Sequence, residues 1–175
     1  MKATARALAA TAAVCLAALG GPASASAAPA STSFAIVGYE YAFTQTVGSF
    51  AGAGRGNAGD AAAWNARVVH DPLGSTPTYV NGGSFAMTTR SAGGHLDYVT
   101  GSFAYHGGTI TTLDPGASCT NQRYLVTGTL ANVATRTTAG GSGAFSATLT
   151  HYRYRLFGRC VIYKARVAGT VTFAY

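Results

Sequence analysis

The chain has 175 residues and a formal net charge of +7, with only 10% charged residues and 23 glycines. This length suits a single domain that buries about two-thirds of its unfolded surface. Outside the first 27 residues no stretch is long and apolar enough to cross a bilayer, which excludes a helical membrane protein.

The N-terminus has the pattern of a secretory signal peptide. Lys2 and Arg6 precede a short apolar run, residues 7–19, and small residues then alternate up to Ala27. This order is typical of a cleaved export signal. We expect cleavage after Ala27, with Ala25 and Ala30 as alternatives. Residues 1–27 are then a signal peptide, 28–33 a disordered N-terminus, and the protein extracellular.

Two cysteines, Cys119 and Cys160, remain after removal of the signal peptide. Two cysteines in an exported chain most often pair, so we predict a disulfide bond. It would close a loop of about 40 residues and stabilise the fold by about 4 kcal/mol on the chain-entropy model. The alternatives are two free thiols or a catalytic thiol, which an oxidising compartment disfavours.

Short β-branched and aromatic runs recur along the rest of the chain, separated by Gly, Pro, Asn and Asp, and no long segment has helical spacing. This pattern predicts an all-β domain, residues 34–175. We expect about eight strands in a single antiparallel β-barrel. They are predicted near 34–47, 62–70, 78–89, 96–106, 109–113 and 122–133, and in a final hairpin within 140–173.

The first predicted strand has two different faces, because side chains alternate along a strand. One face carries Val37, Tyr39, Tyr41 and Phe43. The other face carries Phe34, Ile36 and Glu40. We expect the tyrosine-rich face to be the more buried one. Glu40, the only glutamate, is then solvated; if its face is inward, it is a carboxylate in an apolar cavity.

The following segment, residues 48–60, is predicted to be a loop because it holds five glycines. Residues 54–59 fit the string G-x-G-x-x-G, but a dinucleotide site also needs a strand, a turn and a helix, which the pattern lacks. The next strand should bury Trp64, Ala66 and Val68. The alternative is a short helix capped by Asp60.

One unit recurs in near copies, at residues 99–103, 126–130 and 167–171. In each copy a glycine lies between two apolar residues of the same face, so it points toward the core. Glycine within a strand suits a sharply coiled sheet or a close backbone approach. The repetition favours a small closed barrel over a flat sandwich.

The final hairpin carries a cluster of basic residues. With Gly158-Arg159 as a two-residue turn, Arg153 lies opposite Lys164, and a bulge is needed near Thr150 or His151. This register places five residues on one outward face: His151, Arg153, Arg155, Lys164 and Arg166. Such a face attracts anionic cell-wall polymers or glycans, whereas nucleic acid is disfavoured because aromatic residues are not interleaved. The alternative is a solvated outer surface.

The same hairpin resembles a known family. The turn Gly-Gly-Ser-Gly-Ala-Phe at 140–145, a long strand, and a closing strand with Val-Ala-Gly-Thr-Val at 167–171 resemble the C-terminal half of allene oxide cyclase and dirigent barrels. The resemblance covers residues 140–173. It implies an eight-stranded antiparallel barrel whose apolar cavity shapes a reactive small molecule as it cyclises or couples. It assigns none of the family's cavity residues to this chain.

The candidate site residues fall into two sets. Candidate acid–base residues are Glu40, Tyr41, His70 and His106, the histidines because they stand at strand ends beside turns. Candidate ligand-binding residues are Tyr39, Trp64, Phe103, Tyr105, Tyr154 and Tyr163. The histidines are scattered, without metal-site spacing, and no Gly-x-Ser-x-Gly elbow occurs, so neither a metal nor a cofactor is expected.

Three classes of function follow. The first is a secreted binding protein that holds a small apolar ligand in the barrel or an anionic polymer on the basic face. The second is a cofactor-free cyclase or isomerase, as the family resemblance implies. The third is a structural cell-surface protein. The pattern specifies neither the ligand nor the oligomeric state.

Overall fold

The structure, a computed structural model, describes residues 31–114 and 119–175. The predicted signal peptide lies outside the described residues. The described chain contains nine strands: β1 (Ser31–Phe43), β2 (Val47–Gly56), β3 (Ala61–His70), β4 (Thr78–Arg90), β5 (Leu96–Phe103), β6 (Gly108–Thr112), β7 (Gln122–Ala134), β8 (Gly141–Leu156) and β9 (Arg159–Ala174). No helix of this described part is long and apolar enough to cross a membrane. Residues 31–33, expected to be disordered, belong to β1.

The strands form one antiparallel sheet that closes on itself. Each strand from β1 to β4 pairs with the next, β7 pairs with β8 and β8 with β9, and β9 returns to β1. β5 and β6 both lie between β4 and β7, so they share one position in the wall. Nine strands therefore build a barrel wall of eight positions, which confirms the predicted fold class. Closure also leaves no free edge along most of the wall.

The glycine-rich segment is a strand, not the predicted loop. β2 pairs with β1 on one side and with β3 on the other. Gly38 and Gly52 lie directly opposite each other, and a Cβ atom on Gly38 would lie 2.9 Å from the indole of Trp64. Gly38 leaves room for that indole, and Gly52 lets the backbones of β1 and β2 approach closely. The indole Nε1–H donates to the carbonyl oxygens of Val37, at 3.2 Å, and Ala53, at 3.0 Å.

The core fills the middle of the barrel. Aromatic rings dominate it: Trp64 stacks on Phe85 at a centroid distance of 6.2 Å, and Phe145 meets Phe103 edge to face at 5.7 Å. Burial of Trp64, Ala66 and Val68 on a strand confirms that prediction and excludes the alternative helix. Each large apolar side chain buried in this way contributes about 1.5–3 kcal/mol relative to an exposed one.

The burial predicted for β1 is reversed. Its buried residues are Phe34 and Ile36, whereas Val37, Tyr39 and Tyr41 are exposed on the outer surface. The faces are exchanged along most of the strand, and a bulge after Glu40 then breaks the alternation and places Phe43 against the ring of His151. Aromatic content was a poor guide because Tyr carries a hydroxyl that favours a wet surface.

The β8–β9 hairpin turns one residue earlier than predicted. Leu156 pairs with Arg159, so Phe157-Gly158 is the two-residue turn, and both residues have positive φ angles, 46° and 77°. This dihedral pattern matches the right-handed twist of the strands. A register irregularity between Tyr152 and Arg153 leaves Tyr163 as an extra residue on β9. A bulge was predicted in this hairpin, but two residues earlier on β8.

The predicted disulfide bond joins Cys119 to Cys160, with Cα atoms 5.3 Å apart and a sequence separation of 41. Cys160 is the second residue of β9, and Cys119 lies just before β7. The bond therefore connects the outer end of the hairpin to the loop between β6 and β7.

Candidate functional site

A small apolar pocket lies at the end of the barrel where β1 ends at Phe43 and β3 ends at His70, which we call the top end. Its volume is about 30 Å³, enough for about one or two water molecules. Twelve residues line it: Glu40, Phe43, Thr44, Phe50, Val68, His70, Leu73, Ile110, Tyr124, Val126, Leu149 and His151. The pocket opens into a vestibule of about 430 Å³, to which Gln45, Arg153 and Ile162 also contribute.

A carboxylate and an imidazole meet at this pocket. His151 Nε2 lies 2.7 Å from Glu40 Oε2, and each side chain is only 4% exposed. Glu40 is on β1 and His151 on β8, with β9 between them in the wall. The inward residue of β9 opposite His151 is Ala165. Since an alanine side chain is a single methyl group, the two longer side chains can meet in front of it.

The charge state of Glu40 decides which atom carries the proton of this bond. With Glu40 ionised, Nε2 must carry a hydrogen and donate it to the carboxylate. Nδ1 of His151 is buried and has no hydrogen-bond partner among the described residues. Buried polar atoms are nearly always paired, so an orphaned nitrogen in a pocket wall is an exception that requires an explanation. In the neutral ring Nδ1 then carries the lone pair and can accept a hydrogen bond.

Aromatic rings hold the imidazole of His151 from two sides. Tyr124 meets it edge to face at a centroid distance of 5.3 Å, and Phe43 lies at 5.7 Å. Burial is the largest cause that raises the pKa of the Tyr124 phenol; the charge and hydrogen bond of Arg153 oppose it, and Glu40 adds to it. The phenol therefore remains a neutral hydrogen-bonding group at physiological pH.

His70 stands across the same pocket. Its Nδ1 lies 2.7 Å from the backbone oxygen of Asp71, so Nδ1 donates and a neutral ring keeps its lone pair on Nε2. The Asp71 carboxylate accepts hydrogen bonds from Asn81 Nδ2, at 2.6 Å, and from the Tyr79 amide, at 3.0 Å. These bonds hold the pKa of Asp71 below its usual value, with Asn81 as the largest cause. The Asp71 carboxylate thus ties the β3–β4 turn, which begins directly after His70, to β4.

Two of the four candidate acid–base residues come together and two do not. Glu40 and His70 both line the pocket. Tyr41 is 68% exposed on the outer surface. His106 is also exposed, and its ring stacks against Tyr105 at 4.0 Å and Tyr79 at 4.7 Å.

The candidate ligand-binding residues do not form a site. Trp64 and Phe103 are buried, but they fill the core and neither lines the top pocket. The other four are exposed on the outside of the protein: Tyr39, Tyr105, Tyr154 and Tyr163. Tyr39 was expected to face the ligand but is exposed because the faces of β1 are exchanged. Tyr163 is exposed because of the bulge on β9.

The predicted basic face is divided by the observed register. Lys164 pairs with Tyr152 rather than Arg153, and Arg166 pairs with Thr150 rather than His151. Because side chains alternate, a slip of one residue transfers a whole set to the opposite face. His151 is therefore buried, and Arg153 is partly buried beside Tyr124 and Gln122. Arg155, Lys164 and Arg166 remain exposed.

Sequence reasoning missed His151, Tyr124 and Arg153 as pocket residues. The signal for His151 was present, because Phe145, Ala147 and Leu149 are all buried and His151 continues their phase. Tyr124 similarly begins a buried alternation along β7. Because the bulge was predicted near Thr150 or His151, the buried alternation of β8 was expected to end before His151.

The fold and the pocket define a class of protein: a closed eight-position antiparallel β-barrel with a packed core and a buried carboxylate–imidazole pair at its top end. Within residues 31–114 and 119–175, no three His, Cys, Asp or Glu side chains form a group that could hold a metal ion. Comparison with protein-family models, curated proteins and solved structures finds no match for this chain.

Proposed function

We propose that the protein binds a small, largely apolar molecule at the top end of the barrel, with His151 as the group that recognises its polar atom. The observation that carries this proposal is the buried, unpaired Nδ1 of His151 in an apolar pocket wall. Ligand sites are commonly concave and apolar, with a few polar groups that fix orientation. A ligand atom that hydrogen-bonds Nδ1 would remove the cost of the orphaned nitrogen.

The dimensions of the site limit the ligand. The inner pocket, at about 30 Å³, accepts no more than a small polar tip, whereas the vestibule of about 430 Å³ falls within the range of small-molecule sites. The body of the ligand would lie in the vestibule against Phe43, Leu73 and Ile162. Because the core is packed, the ligand lies at the mouth of the barrel and not along its axis.

Titration with the neutral apolar fluorophore N-phenyl-1-naphthylamine tests the binding site. Phe43 is a half-exposed rim residue, so Phe43→Ser should fold and should weaken binding about tenfold through lost apolar contact. The matched control is Leu96→Ser, an exposed apolar residue at the opposite end. Wild-type protein that fails to bind the fluorophore, or equal weakening by both variants, would overturn the proposal.

A second candidate function, proton-transfer catalysis without a cofactor, is favoured by the orientation of the pair. Glu40 holds Nε2–H, so a proton removed from a bound substrate would pass to Nδ1, and the carboxylate would stabilise the imidazolium that forms. Isomerases and cyclases use such acid–base steps. This chemistry agrees with the class of reaction that the likeness to allene oxide cyclase and dirigent barrels implies.

The Kemp elimination of 5-nitrobenzisoxazole tests this second function with a generic probe. A base removes the ring C–H proton, the N–O bond breaks, and a cyanophenolate is released. We expect catalysis by the wild type, a loss of at least tenfold in Glu40→Gln, and no change in Leu96→Ser. A Glu40→Gln variant that binds the naphthylamine normally and reacts at the wild-type rate would reject catalysis and leave binding intact.

A further inference from the structure

The β8–β9 hairpin projects beyond the barrel wall. β7 pairs with β8 no further than His151, and β1 pairs with β9 no further than Arg166. Residues 152–164, which we call the arm, have only each other as strand partners. A hydrogen bond from the Arg153 amide to Asn121 braces the base of the arm, and the disulfide bond ties Cys160, near the apex, to Cys119 in the loop before β7. The arm is thus a restrained two-stranded ribbon, about 20 Å long at the usual rise per residue.

The apex of the arm is apolar and fully accessible. Phe157 is 96% exposed, and its neighbour Leu156 is 40% exposed. Phe157 also has a φ angle of 46°, in the left-handed region that Asn, Asp or Gly adopts at least cost in this kind of turn. A large ring in this position gains nothing from the barrel.

Cations surround this apex. Arg155 and Arg159 flank it directly in sequence, and both are exposed. The chain has no Asp or Glu after Asp114. In the part of the chain that the structure describes, neither arginine forms an ion pair with a carboxylate. The arm therefore carries an uncompensated positive charge close to an apolar tip.

Two exposed tyrosines lie on the arm between the arginines and the barrel. Tyr154 and Tyr163 are 42% and 61% exposed, and their rings meet edge to face at a centroid distance of 5.5 Å. Lys164 Nζ lies 5.9 Å from the ring centre of Tyr39 and 5.7 Å from that of Tyr152. From the apex inward, the order is apolar residue, arginine, tyrosine, lysine. Aromatic residues with a polar end, and cations on long side chains, are typical of membrane interfaces.

We propose that the arm docks end-on to an anionic lipid bilayer. Phe157 and Leu156 enter the boundary between headgroups and acyl chains, a depth of about 5–10 Å. Arg155 and Arg159 then lie at the level of the lipid phosphates, which their guanidinium groups bind in bidentate fashion. An acidic polymer would also attract the cations, but it offers no apolar interior for the exposed ring at the apex.

Vesicle co-sedimentation tests the docking. The full chain, with its disulfide bond intact, is mixed with phosphatidylcholine vesicles that either contain or lack phosphatidylglycerol. We expect binding only to the anionic vesicles and weaker binding as salt is raised. Phe157→Ser should weaken partition at least tenfold, from lost apolar burial. Arg155→Gln with Arg159→Gln should weaken it about 25-fold, at about fivefold for each cation near the surface.

Matched controls lie at the opposite end of the barrel. Leu96→Ser removes an exposed apolar residue, and Arg90→Gln with Arg136→Gln removes two exposed arginines. These controls should bind as the wild type does, and unchanged circular dichroism should show that every variant folds.

Depth is tested with Phe157→Trp and lipids brominated on their acyl chains. Quenching of the new tryptophan in anionic vesicles is the expected result, since Trp64 is buried in the core. No binding to anionic vesicles, or equal losses in the arm and control variants, would overturn the proposal. Retention on heparin that depends on Arg155 and Arg159 but not on Phe157, without vesicle binding, would also overturn it and would assign the arm to an acidic polymer.

Discussion

Replacement of His151 by Phe should be far more damaging than replacement of both members of the Glu40–His151 pair. The two side chains are each 4% exposed and 2.7 Å apart, so His151→Phe leaves a buried carboxylate without its donor. Such a loss costs about 3–5 kcal/mol. Glu40→Leu leaves a neutral polar ring unpaired, which costs about 1–3 kcal/mol. The double variant buries no charge, and its two apolar side chains still occupy the space between Phe43 and Tyr124. We therefore expect it to lose about 1 kcal/mol or less of the free energy of unfolding.

Urea unfolding with the disulfide bond intact measures these free energies, and fluorescence of Trp64, the only tryptophan, reports the transition. In a domain of this size the His151→Phe cost corresponds to a fall in Tm of roughly 6–20 °C. We expect a coupling free energy of at least about 2 kcal/mol between the two sites. Costs that add to within about 0.5 kcal/mol would show that the two groups do not interact in solution, and would refute this expectation.

Two further predictions concern the core and the surface. Gly128→Ala should destabilise the protein by about 1–3 kcal/mol, because the new Cβ would lie 2.6 Å from the Phe103 ring; Gly101→Ala, with 3.3 Å to its nearest atom, should cost less in the same urea experiment. At the surface, the hydrogen bond from Arg123 is the main cause that lowers the pKa of Asp114. Arg123→Gln should therefore raise the Asp114 pKa toward 3.8 in a carboxyl NMR titration. The folded-state pKa is the depressed one, so any stabilisation by this pair is present at neutral pH and is lost as the pH falls through that value. An unchanged Asp114 titration would contradict the assignment.

Local patterns were sufficient for the secondary structure of most of the chain. Alternation of apolar residues along β3, β7 and the inner part of β9 correctly predicted strands and their buried sides, because a strand exposes alternate residues to opposite environments. The same reasoning failed for β2. Its glycines have no side chains to reveal a period, and they allow close contact with β1, because a Cβ atom on Gly52 would meet the Val37 carbonyl and one on Gly56 the Phe34 ring.

The site depended on contacts that no local pattern contains. Glu40 and His151 are separated by 111 residues and meet only because β9 lies between β1 and β8 with a small residue at Ala165. The bulge at Tyr163 and the turn at Phe157-Gly158 likewise set the register of the hairpin, and with it the positions of the basic residues. A one-residue change in register exchanges the faces of a strand at almost no cost in local propensity.

Spacing along single segments and the residue types present were enough to predict the all-β class, the barrel of about eight strands, the disulfide bond and the inward direction of the repeated glycines. Which face of β1 is buried, which histidine meets Glu40, and that the hairpin projects as an arm became known from the folded chain alone. The physical reason is that burial and pairing are properties of what lies opposite a residue, and in a closed barrel that neighbour comes from a distant part of the chain.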